Sequence, residues 1–304
     1  MQRTELIEKI NKLKKEKNAI VLAHTYQNIE IDEVADFSGD SLYLSQQAAK
    51  TDADVIVFAG VYFMAETAKI LSPKKTVLLP NLNAGCAMAD KINLEQLRAF
   101  KAQHKDIPVV CYVNSTAAVK SESDVCCTSA NAINVVKSLN AKEVLFVPDQ
   151  HLGSFVESQL DNVKVITYPG YCPVHHEITT KDIEEKKKLY PNAKVMVHPE
   201  CPSDVVKMAD FTGSTTGIIK TVKESNEKEF IIVTEKGVVD RLKRDCPEKK
   251  FILINEKAVC ETMKLIHLED ILYTLENNKY EIHIDKEISQ KAFLAINKMV
   301  MINA

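Results

Sequence analysis

Three times along this 304-residue chain a short apolar run ends in a polar cluster, and the same two intervals follow each time. The runs 19-23, 109-113 and 194-198 end in or lead into His24-Thr25-Tyr26, Tyr112-Val113-Asn114 and His198-Pro199-Glu200. Seventeen residues after the first member of each cluster stands a hydroxyl: Ser41, Ser129 and Thr215. Sixty to 62 residues after that first member stands a cysteine: Cys86, Cys172 and Cys260. The cysteines are 86 and 88 residues apart. Self-similarity at a fixed period means one structural unit used repeatedly. It restricts this chain to folds that place three equivalent units together.

Inside each period the pattern alternates. Six further apolar runs, 55-59, 76-80, 144-148, 163-168, 230-234 and 251-255, complete nine strand candidates. Helical periodicity fills the gaps at 42-50, 62-71, 92-104, 129-139, 153-160, 181-190, 216-225 and 237-245. Short apolar strands alternating with helices indicate parallel βαβ units with helices on both faces. The expected fold is therefore α/β: three pseudo-threefold-related three-layer α/β/α units, each with a small parallel sheet. The expected boundaries are 1-85, 86-171 and 172-260. Residues 261-304, with a helix, a short strand at 281-284 and a last helix, are expected to pack back on the first unit. Polar residues gather at the carboxyl ends of parallel strands, so the active site is expected at the common centre.

Composition removes several classes of function. The net charge of -3 gives no reason to expect nucleic acid or an anionic membrane as partner. Residues 1-18 are charged and amphipathic, with no apolar core of a signal peptide. No apolar run approaches the roughly 18 residues of a membrane span. A cytoplasmic location is expected, where the eight cysteines would be thiols or metal ligands. Neither GxGxxG nor a Walker motif occurs, so neither nucleotide site has support.

Three thiolates closing on one point suit an iron-sulfur cluster with one iron left without a protein ligand. Most electron-transfer clusters take four cysteines; an open iron can act as a Lewis acid. The loops of Cys86 and Cys260 lead into helical stretches, whose N-termini would help stabilise the thiolates. A cysteine taken alone reads as a small buried hydrophobe. Cys111, Cys126, Cys127 and Cys246 take that reading, and Cys201, beside Glu200, stands between the two. Cys172 with His175 or His176 offers the start of a zinc site. The remaining ligands appear at no standard spacing, so His175 and His176 read as loop histidines.

His24, Tyr26, Tyr112, His198 and Glu200 form a candidate acid-base set. Pro199 and Pro202 fix the backbone around Glu200 and aim its carboxylate. Ser41, Ser129 and Thr215 at helix starts, with Asn114, can donate to carboxylate or phosphate oxygens. The run 213-217 (GSTTG) suits a close anion contact.

With these residues in view, the chain resembles the quinolinate synthase family, iron-sulfur enzymes of NAD biosynthesis. The resemblance rests on AHTYQ (23-27), ADFSGDSL (35-42), GVYFMAETAKIL (60-71), GCAMAD (85-90), YVNSTAAVKS (112-121), CTSANA (127-132), PDQHLG (148-153), PGYCPVH (169-175), HPEC (198-201), GSTTG (213-217) and CETMK (260-264). It covers almost the whole length. It implies condensation of iminoaspartate with dihydroxyacetone phosphate to quinolinate, losing phosphate and two waters. It implies a [4Fe-4S] cluster on Cys86, Cys172 and Cys260 whose fourth iron binds substrate. His24, Ser41, Tyr112, Val113, Asn114, Ser129, His198, Pro199, Glu200 and Thr215 match substrate-binding positions, and Tyr26 and Glu200 match acid-base residues. Both dehydrations need a proton taken from carbon and help for a departing hydroxide. Iminoaspartate hydrolyses readily, so one unit is expected to close over the other two, and an aspartate-oxidising enzyme is the expected transient partner. The competing readings are a zinc-dependent aldolase or lyase, and a non-catalytic sensor that signals by losing its cluster.

Overall fold

The structure is a computed structural model, and it describes residues 2–303. Twelve parallel strands form three separate four-stranded sheets. The first holds β1 (Ala19–His24), β2 (Phe37–Gly39), β3 (Val55–Ala59) and β4 (Thr76–Leu78). The second holds β5 (Val109–Tyr112), β6 (Val125–Cys127), β7 (Glu143–Val147) and β8 (Lys164–Thr167). The third holds β9 (Lys194–Val197), β10 (Phe211–Thr212), β11 (Glu229–Val233) and β12 (Lys250–Leu253). Their orders, β2-β1-β3-β4, β6-β5-β7-β8 and β10-β9-β11-β12, are the same permutation three times.

All nine apolar runs are strands. The remaining three, β2, β6 and β10, were not legible. They are two or three residues long, too short for a periodic signal, and each lies at a sheet edge. An aspartate docks each one. Asp36, Asp124 and Asp210 donate their N–H to the carbonyls of Val21, Val109 and Val195 at 2.9, 3.0 and 2.9 Å. Their carboxylates accept the N–H of the same three valines at 2.7, 2.7 and 2.8 Å. The aspartate closes a two-point clamp where the strand itself supplies too few ladder bonds.

Burial follows the strand period of two. In the third sheet Val195, Val197, Ile231 and Val233 join one apolar cluster, and Met196, Phe230 and Ile232 join another. Helices therefore cover both faces. The first two units share one continuous core. Beyond Cys260, helix Leu268–Asn277 packs on helix Arg3–Glu16. Where a strand was expected at 281-284, the chain makes a single antiparallel bridge from Glu281 to Leu78. The last helix, Lys286–Met301, lies against helix Ala117–Ser121, β6 and helix Tyr62–Leu71. Among the described residues no helix is long and apolar enough to cross a membrane.

The clamp yields a test. Asp124→Ala leaves the Val109 N–H without its carboxylate, so unfolding in urea should show a loss of about 1–3 kcal/mol. Unchanged stability would mean that β6 needs no such docking.

Candidate active site

The strand ends of all three sheets line one cavity of about 260 Å³. His24 and Tyr26 come from the end of β1, Tyr112 and Asn114 from β5, and His198 and Glu200 from β9. Ser41, Ser129 and Thr215 join them, as do Cys86, Cys172 and Cys260. Val113 and Pro199 do not line it. They are buried between cavity-facing neighbours, and the Val113 N–H is spent on the Cys127 carbonyl at 2.8 Å.

Ser41 and Thr215 are the first residues of helices Ser41–Lys50 and Thr215–Glu224, preceded by Asp40 and Ser214 as side-chain caps. Both ten-residue helices thus aim their N-termini at the cavity, where an anion is favoured. Ser129 departs from the helix start expected of it. The helix of the second unit begins only at Ala132, and Asn131 before it donates to the carbonyls of Met299 and Ile302 at 3.0 and 2.8 Å. That residue is used to hold the C-terminal helix. In the glycine run, the close fit comes from packing: a Cβ on Gly213 would lie 2.7 Å from the Phe211 ring.

The two strand-end histidines are set alike. The Tyr26 N–H donates to His24 Nδ1 at 3.2 Å, and the Glu200 N–H donates to His198 Nδ1 at 3.3 Å. Nδ1 accepts in both, so each neutral ring carries its proton on Nε2. Burial lowers the pKa of His24 to about 3, with Lys264, His198 and Arg241 adding and Glu200 opposing. Burial likewise lowers His198 to about 4, with Glu200 opposing. Both rings are neutral donors at pH 7.

Glu200 is the buried carboxylate at the centre. Tyr112 Oη donates to its Oε1 at 2.6 Å, and His175 Nδ1 lies 2.8 Å from its Oε2. Burial alone would raise its pKa. The facing His175 and His198, and the hydrogen bonds from His175 and Tyr112, outweigh burial and hold it well below the ordinary carboxylate range. Burial and the Glu200 charge push both phenols, Tyr26 and Tyr112, far above the usual tyrosine range. Glu200, firmly ionised, therefore stands among the neutral phenols of Tyr26 and Tyr112 and the neutral rings of His24 and His198.

His175 corrects the loop reading. It is buried, and its Nε2 lies 2.8 Å from Thr234 Oγ1, which lies 3.0 Å from Tyr26 Oη. Thr215 Oγ1 donates to the same phenol at 3.3 Å. A continuous relay thus runs Tyr26–Thr234–His175–Glu200–Tyr112 through all three units. Two of its five members, His175 and Thr234, were not among the residues singled out from sequence. His176 ends the one-turn helix Pro173–His176, exposed and stacked on Tyr171.

The three cysteines line the same cavity wall. Burial raises the Cys86 thiol to about 12, with Cys260 adding to the rise. Burial also raises Cys172, to which Glu200, Cys86 and Cys260 add, and it raises Cys260. Backbone N–H groups oppose it: Ala89 and Met88 at Cys86, His175 at Cys172, Met263 at Cys260. These amides belong to single turns, not to the longer helices expected behind Cys86 and Cys260. In all three units the longer helix starts eight residues past the cysteine, at Leu94, Thr180 and Leu268, behind capping boxes at Asn93, Thr179 and His267. Gly170 has a role of its own, because a Cβ there would strike the Pro148 carbonyl. Cys111, Cys126, Cys127, Cys201 and Cys246 are buried away from this cavity.

Comparison with known proteins places this geometry. The model of the quinolinate synthetase A protein family matches residues 8–301. The chain belongs to that family. It is 50% identical to the quinolinate synthase of Alkaliphilus metalliredigens over 99% of this chain and 100% of that one. It is 51% identical to quinolinate synthase 2 of Methanosarcina acetivorans over 98% and 96% of the two chains. The quinolinate synthase of Dehalococcoides mccartyi is 52% identical over 98% and 99%.

The histidines fix a pH dependence. An unfolded histidine binds a proton below its ordinary pKa of 6.5, whereas His198 in the fold resists it until about pH 4. Stability contributed by the neutral ring is therefore full above pH 6.5 and is lost as pH falls toward 4, by about 3 kcal/mol for His198. Thermal midpoints measured from pH 7 to 4 should fall, and His198→Asn should flatten the profile. A wild-type profile that stays flat would contradict the assignment.

Proposed function

We propose that this chain is a quinolinate synthase, joining iminoaspartate to dihydroxyacetone phosphate with loss of phosphate and two waters. The observation that carries this reading is the meeting of three cysteine loops and three strand-end clusters in one cavity, in a chain of this family. The residues fit a [4Fe-4S] group. Three cysteines lining one cavity offer the donor set, and backbone N–H groups face their sulfurs. Held by Cys86, Cys172 and Cys260, the cluster would supply an iron with no protein ligand, a Lewis acid toward a departing hydroxide.

The protein's own groups do the rest. The Nε2–H of His24 and of His198 donate to substrate carboxylates. The helix N-termini at Ser41 and Thr215, with Ser129, hold anionic oxygens without any lysine or arginine in the lining. Asn114 Oδ1 lacks a partner and stands ready for a substrate donor. Glu200, ionised, takes a proton from carbon. The neutral Tyr26 phenol, held by Thr234 and Thr215, gives its proton to a leaving group. Tyr112 holds Glu200 in place and faces the substrate.

Iminoaspartate must be kept from water. The third unit's apolar cores are separate from the core shared by the other two, which makes it the unit free to close on substrate. An aspartate-oxidising enzyme would supply the imine in the same cytoplasmic compartment.

A second reading has one observation behind it. The ligand atoms of Cys172, His175 and Glu200 lie within 4.8 Å of one another, a mixed set that suits zinc. Purification without oxygen separates the two. The cluster reading predicts a brown protein with about four irons per chain, and colourless protein with one zinc would reject it. Glu200→Gln should keep the cluster and lose quinolinate formation. Activity close to wild type in that variant would contradict the role given to Glu200.

A further inference from the structure

Glu235 takes no part in the relay, yet its side chain is fully buried in the cavity wall. It precedes helix Lys236–Asp245, as Val61 and Asp149 precede the matching helices of the first two units. In each unit the next N–H donates to the carbonyl two residues before the cysteine. Tyr62 reaches Ala84 at 2.8 Å, Gln150 reaches Gly170 at 2.9 Å, and Lys236 reaches Ala258 at 2.8 Å. In the third unit the side chain at this position adds a bond, the Cys260 N–H donating to Glu235 Oε1 at 3.2 Å, and in the second Asp149 offers its carboxylate to the Cys172 N–H. Val61 has no oxygen to offer the Cys86 loop.

The second half of the device is Lys264, four residues past Cys260. Its Nζ lies 3.4 Å from Glu235 Oε1 and donates to the Tyr26 carbonyl at 2.5 Å and the Gln27 carbonyl at 3.3 Å. Glu235 Oε2 accepts the Gly237 N–H at 2.5 Å. The first and third units touch here. A Cβ on Gly237 would lie 2.6 Å from the Thr25 oxygen and 2.8 Å from Tyr26 Cα, so only glycine fits. We propose that Glu235 and Lys264 are positioning residues that bind the Cys260 loop of the third unit to the Tyr26 backbone of the first. The seat of the third thiolate and the aim of the phenol are thereby set together. This rests on the reading of the three thiols as ligands of one cluster.

The test compares wild type with Glu235→Gln, Lys264→Met and the double variant Glu235→Leu/Lys264→Met, all purified without oxygen. The double variant strands no buried charge, and circular dichroism checks its fold. It should lose iron to a ferrous chelator about tenfold faster than wild type, and its kcat should fall about tenfold with KM unchanged. Glu235→Gln still offers an oxygen to the Cys260 N–H and should keep iron at the wild-type rate. Lys264→Met should keep iron but lose kcat. A folded double variant with wild-type iron loss and wild-type kcat would overturn the positioning role alone. A wild-type protein without iron would overturn the cluster reading as well.

Discussion

Parallel strands send all their carboxyl ends to one side of a sheet, and nearly everything in this structure depends on that constraint. Three sheets with the same strand order present three such edges. Packed about a common centre, they can only bring equivalent residues together. Residues 86 or 88 apart in sequence thus line one cavity of about 260 Å³. No local motif in the chain holds three ligands; the ligand set exists only because the unit recurs.

Burial then decides the electrostatics. Within the cavity it keeps His24 and His198 neutral and keeps the Tyr26 and Tyr112 phenols protonated. Glu200 escapes, because two imidazoles and a phenol face it directly. An ionised carboxylate beside neutral donors is suited to taking a proton while the donors bind anions. The units are alike in backbone but differ in side chains at the points that matter. At the position where Gly60 and Pro148 end the third strand of the first two units, the third has Thr234, which carries the relay. Where Val61 stands in the first, the third has Glu235, which holds the Cys260 loop.

Much of this was legible in the sequence, for physical reasons. Strands buried on both faces appear as continuous apolar runs, and all nine such runs are strands. The edge strands β2, β6 and β10 carry no such signature, because the docking aspartate stabilises them instead. Extending the repeat to Asp36, Asp124 and Asp210 would have found them. The convergence of Cys86, Cys172 and Cys260 was readable from spacing alone. His175 was not, because a histidine in a loop says nothing of what covers it. It stands three residues after Cys172, one helical turn, and that distance was the available clue. Thr234 could be found only by comparing the same position across the three units.

The central claim is that three loops from three repeats close on a single metal cluster. Diffraction at the iron absorption edge, from crystals grown without oxygen, tests it most directly. The account predicts one compact iron peak per chain, in bonding contact with the sulfurs of Cys86, Cys172 and Cys260. A metal held by Cys172, His175 and Glu200, with Cys86 and Cys260 unbound, would contradict it.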